Sequence, residues 1–195
     1  MGTRPNDGII RKRGYTLGGG NNADGSPAVS LDGTTGASIV IPGFTVMPIP
    51  CSVELWTNLV AGASGNFYAL VTKSVSNVGS PIDWRHATGL AWIAVSPSWV
   101  NGVRGRVAGV WNHHALVVNG SAWGAPGSMT YYLNGAVDVN SPSPFTLYAD
   151  NSAAALRIGN RGDGATPFRG PMSRVAVYDY ALSSQEVAES WAAGQ

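Results

Sequence analysis

The chain has 195 residues, 44% of them hydrophobic and 12% charged, with a formal net charge of +1. That length and apolar content are enough for one well-filled domain, whereas so small a charge gives no broad basic face, which sets nucleic acid aside as a partner. No run reaches the ~18 apolar residues of a membrane span, and a single Cys excludes an internal disulfide framework.

Residues 1–27 contain Gly18-Gly19-Gly20, the basic Arg11-Lys12-Arg13 and few large apolar side chains. They read as an extended N-terminal arm, either docked on a neighbour or loosely packed. The start, Met1-Gly2-Thr3-Arg4-Pro5, lacks the apolar stretch of a secretory signal. From residue 28 onward Gly and Pro punctuate short apolar runs, as in an all-β protein, and 28–195 reads as one sandwich domain. Residues 28–31 and 37–41 are expected as strands joined through Asp32-Gly33-Thr34-Thr35-Gly36, a turn rich in residues that tolerate positive φ. Residues 51–59, with Trp56 facing inward, and 67–73 read as core strands, and Cys51 as a buried, inert thiol. Residues 87–95 and 104–110 read as a further pair of strands.

The most informative stretch is Trp111-Asn112-His113-His114-Ala115-Leu116-Val117-Val118. It contains no Gly or Pro and carries bulk at nearly every position, which suits a central strand covered on both faces. After it, Asn134-Gly135 lies between two β-prone runs and predicts a type I′ hairpin, because both central residues of that turn need positive φ. Near the end, Ser183 and Glu186 fit a capping box, and Val187, Trp191 and Leu182 supply the apolar face of one short helix.

These motifs, in this order, resemble the laminin-G-like branch of the concanavalin A-like lectin and glucanase sandwiches. The residues that carry the resemblance are Leu31-Asp32-Gly33, Val53-Glu54-Leu55-Trp56, the Trp111-to-Gly120 strand, Tyr132-Leu133-Asn134-Gly135, Leu156-Arg157-Ile158-Gly159-Asn160, and Phe168-Arg169-Gly170 through to Tyr178-Asp179-Tyr180-Ala181-Leu182-Ser183. The resemblance spans roughly 28–192. It implies an all-β, antiparallel two-sheet jelly-roll sandwich with one short C-terminal helix. It also implies calcium as the one cofactor to consider, with Asp32 as the candidate ligand, since the equivalent loop of related sandwiches helps to hold that ion. The family's acidic pair after Phe-Arg-Gly is here Ser173-Arg174, which removes carboxylates from any such site.

Catalytic relatives of the fold place paired acids across a cleft. This chain has three Glu, Glu54 in a strand and Glu186 and Glu189 at the helix, and lacks the relatives' Glu-x-Asp-x-x-Glu pattern, so catalysis is not expected. His113 and His114 are adjacent on a strand and point to opposite faces, which suits packed, hydrogen-bonded groups better than a metal site. Arg161-Gly162-Asp163 spells an adhesion tripeptide but falls on an expected turn.

Of seven Trp, Trp56, Trp92, Trp111 and Trp191 lie in periodic apolar segments and are expected in the core. Trp84, Trp99 and Trp123 lie in stretches read as connections. Sugar faces stack on exposed rings of this kind, so Trp84, Trp99 and Trp123, with Asp83, Arg85 and Asn101, form the expected glycan surface. The competing reading packs those rings against the sandwich rim or another subunit.

The expectation is therefore a non-catalytic binding module. Its setting is expected to be the virion surface, as a capsid decoration or tail-associated phage protein bound to a capsid or tail partner and facing host cell-surface polysaccharide. Otherwise it would be extracellular within a larger protein. The alternatives are a structural, homo-oligomer-forming decoration that binds no sugar, and a carbohydrate-active hydrolase.

Overall fold

The computed structural model describes residues 28–41, 47–60, 67–73, 82–87, 90–94, 100–140, 145–147 and 154–195. The expected arm, 1–27, lies outside them, as does Trp99. In chain order the elements are β1 (Ala28–Asp32), β2 (Ile39–Ile41), β3 (Cys51–Thr57), β4 (Tyr68–Thr72), β5 (Asp83–Ala87), β6 (Leu90–Ala94), β7 (Val100–Asn101), β8 (Asn112–Gly120), β9 (Pro126–Leu133), β10 (Ala136–Asn140), β11 (Phe145–Thr146), β12 (Leu156–Ile158), β13 (Arg169–Tyr178) and α1 (Ser184–Ala192). They form two antiparallel sheets. One has seven strands in the order β1-β13-β3-β8-β9-β10, with β11 also on β9; the other has six, in the order β2-β12-β4-β5-β6-β7. The expected jelly-roll sandwich with one C-terminal helix is the observed fold.

β8 shows how the sequence dictates the layers. It lies between β3 and β9, and its side chains alternate between two buried environments. Leu116 and Val118 enter the space between the sheets, with Val53, Leu55, Met129 and Tyr131 from their own sheet and Leu70, Val71, Ile93, Leu156 and Ile158 from the other. Ala115 and Val117 point the opposite way and meet Leu182 and Val187 of the C-terminal segment. A strand covered on both faces has no solvent side to signal with polar residues, hence its continuous bulk.

The hairpin between β9 and β10 has Asn134 at φ 53° and Gly135 at φ 75°, the signature of the type I′ turn. Asn134 Oδ1 accepts the backbone N–H of His113 at 2.8 Å, tying the turn to β8. A Cβ on Gly135 would lie 2.9 Å from the Trp191 ring, so helix packing demands glycine here as well. At the start of α1, Ser183 Oγ accepts the N–H of Glu186 and the Glu186 carboxylate accepts the N–H of Ser183 at 2.8 Å. Both halves of the capping box are present.

Several expectations are corrected. Residues 104–110 form no strand; they run irregularly from β7 to β8, with Gly109 at φ 80°. The Asn112 carboxamide holds this segment through the backbone of Val107 and Val110. Residues 83–86, read as a connection, belong to strand β5, and β6 begins only at Leu90. Trp56 is buried but does not face the other sheet: Val53 and Leu55 take the inward positions of β3, and Trp56 packs on the outer side, 5.1 Å from the His113 ring. Trp111 precedes β8 and is only half-buried. Among the large rings in the core between the sheets are Trp84 and Tyr131, 5.6 Å apart.

Candidate functional site

Period-2 alternation along β5 separates the candidate residues into two groups. Trp84 and His86 point inward. Trp84 is fully buried, edge-on to Tyr131 and to His114, and His86 stands 4.9 Å from the His114 ring. Trp84 is thus a core residue and leaves the expected glycan surface; the apolar interior of a sheet strand, not a loop, accounts for its bulk. Asp83 and Arg85 point to the opposite, outer face of the six-stranded sheet. They pair there through Arg85 Nε and Asp83 Oδ1 at 2.6 Å and through a second contact between Nη2 and Oδ2. Both are buried, and the Arg85 guanidinium also lies over the Phe67 ring at 5.8 Å. A bidentate pair of this kind neutralises itself and orients both groups.

Register then assembles the outer face, because residues directly opposite on neighbouring strands share a side. One row runs Ala69, Arg85, Trp92, Asn101 across β4, β5, β6 and β7. The adjacent row runs Val40, Arg157, Thr72, Asp83 across β2, β12, β4 and β5. Asn101 is exposed and Arg157 half-buried, while Thr72 is buried and donates to Asn160 O at 3.1 Å. Three of the expected residues, Asp83, Arg85 and Asn101, are therefore brought to one face. Arg157 and Thr72 were not among them, although the alternation Leu156-Arg157-Ile158 was a signal for an outward arginine. Trp92 occupies the backbone position between Arg85 and Asn101. Trp123 lies elsewhere, half-buried against the core, its indole N–H donating to Met47 O at 2.9 Å.

Several inner polar groups bond to one another, while Trp84 Nε1 and His86 Nε2 are buried without a hydrogen-bond partner. Arg106 Nε donates to His86 Nδ1 at 3.0 Å, and His114 bonds Thr57 Oγ1 and Tyr131 OH, each at 2.8 Å. Burial, reinforced by the Arg106 charge, holds His86 well below its ordinary pKa. Burial also holds His114 down, with His86, His113 and Arg106 adding to the effect. Both imidazoles are neutral packing groups, and burial pushes the Cys51 thiol up to about 12.

On the far side of the molecule, His113 Nε2 meets Glu54 Oε1 at 2.6 Å and Tyr178 donates to Glu54 Oε2 at 2.8 Å. Burial pushes the Glu54 carboxyl up, but the hydrogen bond and charge of His113 and the bonds from Tyr178 and Ser190 outweigh it, leaving the group below its ordinary value.

Three other acids are occupied locally. Asp163 takes Arg161 Nε at 2.8 Å inside a turn closed by Gly164 N–H to Arg161 O at 3.0 Å, so the adhesion-like tripeptide is a self-paired turn. Asp138 accepts the N–H of Arg104 at 2.6 Å. Asp32 Oδ1 accepts both the N–H and the hydroxyl of Thr34, at 2.9 and 2.8 Å; these bonds lower its pKa. Calcium needs six to eight oxygens, and among the described residues no group of three or more His, Cys, Asp or Glu could hold a metal. Asp32 caps its turn.

A two-sheet antiparallel jelly roll, with a helix over one outer face and a row of polar side chains on the other, defines the class of concanavalin A-like sandwiches. This chain belongs to the concanavalin A-like lectin/glucanase superfamily, whose family model matches residues 21–188. No curated protein matches it by sequence. Among solved structures it is similar to domain 4 of AbnA, an extracellular arabinanase from Geobacillus stearothermophilus in complex with arabinotriose, with 23% identity, 92% of this chain and 83% of that one covered, and TM-score 0.58. It is also similar to the Ruminococcus gnavus IT-sialidase CBM40 bound to alpha2,3 sialyllactose, with 12% identity, 86% and 96% covered, and TM-score 0.66. A third is the ligand binding domain of Botulinum neurotoxin serotype D in complex with N-acetylneuraminic acid, with 12% identity, 83% and 41% covered, and TM-score 0.59.

Proposed function

We propose that the chain is a non-catalytic carbohydrate-binding module that holds glycan on the outer face of its six-stranded sheet. The observation that carries this reading is the register that lines up Arg157, Thr72 and Asp83 beside Arg85, Trp92 and Asn101. Four strand spacings separate β12 from β7, about 19 Å, with Arg157 half-buried at one end and Asn101 exposed at the other. Family membership and the sugar-bound neighbours support the same reading. Its non-catalytic part is supported by the occupation of Glu54 by His113 and Tyr178 and of Asp83 by Arg85, which leaves neither carboxylate placed as a free acid or base for glycoside cleavage.

The setting remains part of the proposal: a virion accessory protein, on capsid or tail, directed at host polysaccharide. Binding of the purified chain to an array of neutral and acidic glycans is the expected outcome, weakened by Asn101→Ala and by Trp99→Ala, the residue just before β7. Absence of any binding, or release of reducing ends from a bound polysaccharide, would overturn the reading. Immunogold labelling of particles tests the setting.

A second reading, a structural and self-associating protein, is favoured by one observation: Val103, Val107 and Val110 are 74%, 59% and 48% exposed within the segment joining β7 to β8. Sedimentation showing an oligomer that Val107→Ser dissociates, with no glycan bound, would favour it.

A further inference from the structure

Among the described residues, the charges on the outer face of the six-stranded sheet do not balance. Asp83 and Arg85 cancel within their own bidentate pair. Arg157, one strand beyond Thr72, has no carboxylate partner among the described residues. Its guanidinium makes a long hydrogen bond, from Nη1 to Ser38 Oγ at 3.3 Å. Leu156 and Ile158 on either side are locked in the core, so β12 holds the arginine outward, and its half-buried state leaves the group within reach of a ligand. A guanidinium is a planar fork of donors that cannot lose its charge, suited to a planar oxyanion. Ser38 Oγ accepts from Arg157 and so keeps its own hydroxyl proton for donation. Two guanidinium N–H groups and one O–H make a three-donor set that matches the two in-plane oxygens of a carboxylate.

Resting on the module reading above, we propose that the glycan bound by this face carries a carboxylate, as in a uronic or sialic-type sugar, and that Arg157 with Ser38 is the subsite that reads it. The neutralised Asp83–Arg85 pair leaves no net negative charge alongside to repel such a group, and the exposed Asn101 at the far end of the face is free to serve neutral hydroxyls of the same chain.

The experiment is a glycan array followed by titration calorimetry of the best binder, using the intact chain and three forms of the probe: native, carboxyl-reduced and, where sulfated, desulfated. Native acidic glycan binds; carboxyl reduction weakens binding by about tenfold to a hundredfold, the range for hydrogen bonds to charged groups. Arg157→Gln produces the same loss, Arg157→Lys a smaller one, and Ser38→Ala the smallest, each with an unchanged melting temperature. Carboxyl reduction of the probe with wild-type protein keeps the test valid if Arg157→Gln does not fold. Binding that is indifferent to carboxyl reduction, or that follows sulfate instead, or that persists in Arg157→Gln, overturns the carboxylate subsite and leaves the module reading standing. Failure to bind any glycan overturns both.

Discussion

The two outer faces of this sandwich are built by the same alternation and end in opposite states. Behind the seven-stranded sheet, Glu54, Trp56 and His113 turn away from the core and are sealed by the C-terminal segment, with Tyr178 bonded to Glu54 and Val187 and Leu182 packed on Ala115 and Val117. Behind the six-stranded sheet, Asp83, Arg85, Arg157 and Asn101 also turn away from the core, but the face stays open at Arg157 and Asn101. A polar residue pointing out of a sheet is therefore no mark of a binding surface in itself; what covers it decides. The sealed face uses its polar groups to dock a helix, whereas the other leaves Asn101 exposed and Arg157 half-buried.

Substitutions sharpen that contrast, beginning with the layer both faces share. Trp84→Ala should destabilise the fold by about 4 kcal/mol, the usual loss for a buried tryptophan, as read by urea denaturation; a loss below about 1 kcal/mol would mean that Trp84 is a surface residue after all. On the sealed face, Glu54→Ala leaves His113 buried without its partner and should cost about 3 kcal/mol. Because the folded Glu54 carboxyl titrates below its ordinary value of 4.5, its contribution is present above that value and is lost as pH falls through the lowered one. Glu54→Gln should therefore flatten the acid side of the stability profile, measured by melting temperature against pH.

Ser183→Ala removes half of the capping box and should cost about 1 kcal/mol, loosening α1 while glycan binding on the far face is unchanged. On the open face, Asn101→Ala should alter stability by no more than about 0.5 kcal/mol and act on binding alone. A large stability loss there would show that the two faces are not as different as their coverage implies.

Much of the fold was legible in the sequence because its strongest signals are local. Asn134-Gly135 needs positive φ at both positions and has it, the Ser183–Glu186 capping box is read from two residues, and the unbroken bulk of 111–118 announces a strand covered twice. The candidate site was less legible. Ile82-Asp83-Trp84-Arg85-His86 alternates with period 2, but Pro81 and the polar content of the run read as a connection, which put Trp84 on the surface and hid the fact that Asp83 and Arg85 pair with each other. Arg157 was visible only as a family motif. Its neighbourhood depends on pairing with β2 and β4, strands more than 80 residues upstream, and long-range register is not written in any one segment. Trp56 was misplaced for a related reason: alternation fixes which residues share a face, not which face receives the helix.

The claim that the open face is the binding face is tested most directly by mapping backbone amide shifts in the labelled chain as the strongest array glycan is added. The account requires the perturbed amides to cluster on β12, β4, β5 and β7, around Arg157, Arg85 and Asn101, with β8 and α1 silent. Shifts concentrated at α1 and Tyr178, or along the Val103-to-Val110 segment with the six-stranded sheet unmoved, would contradict it.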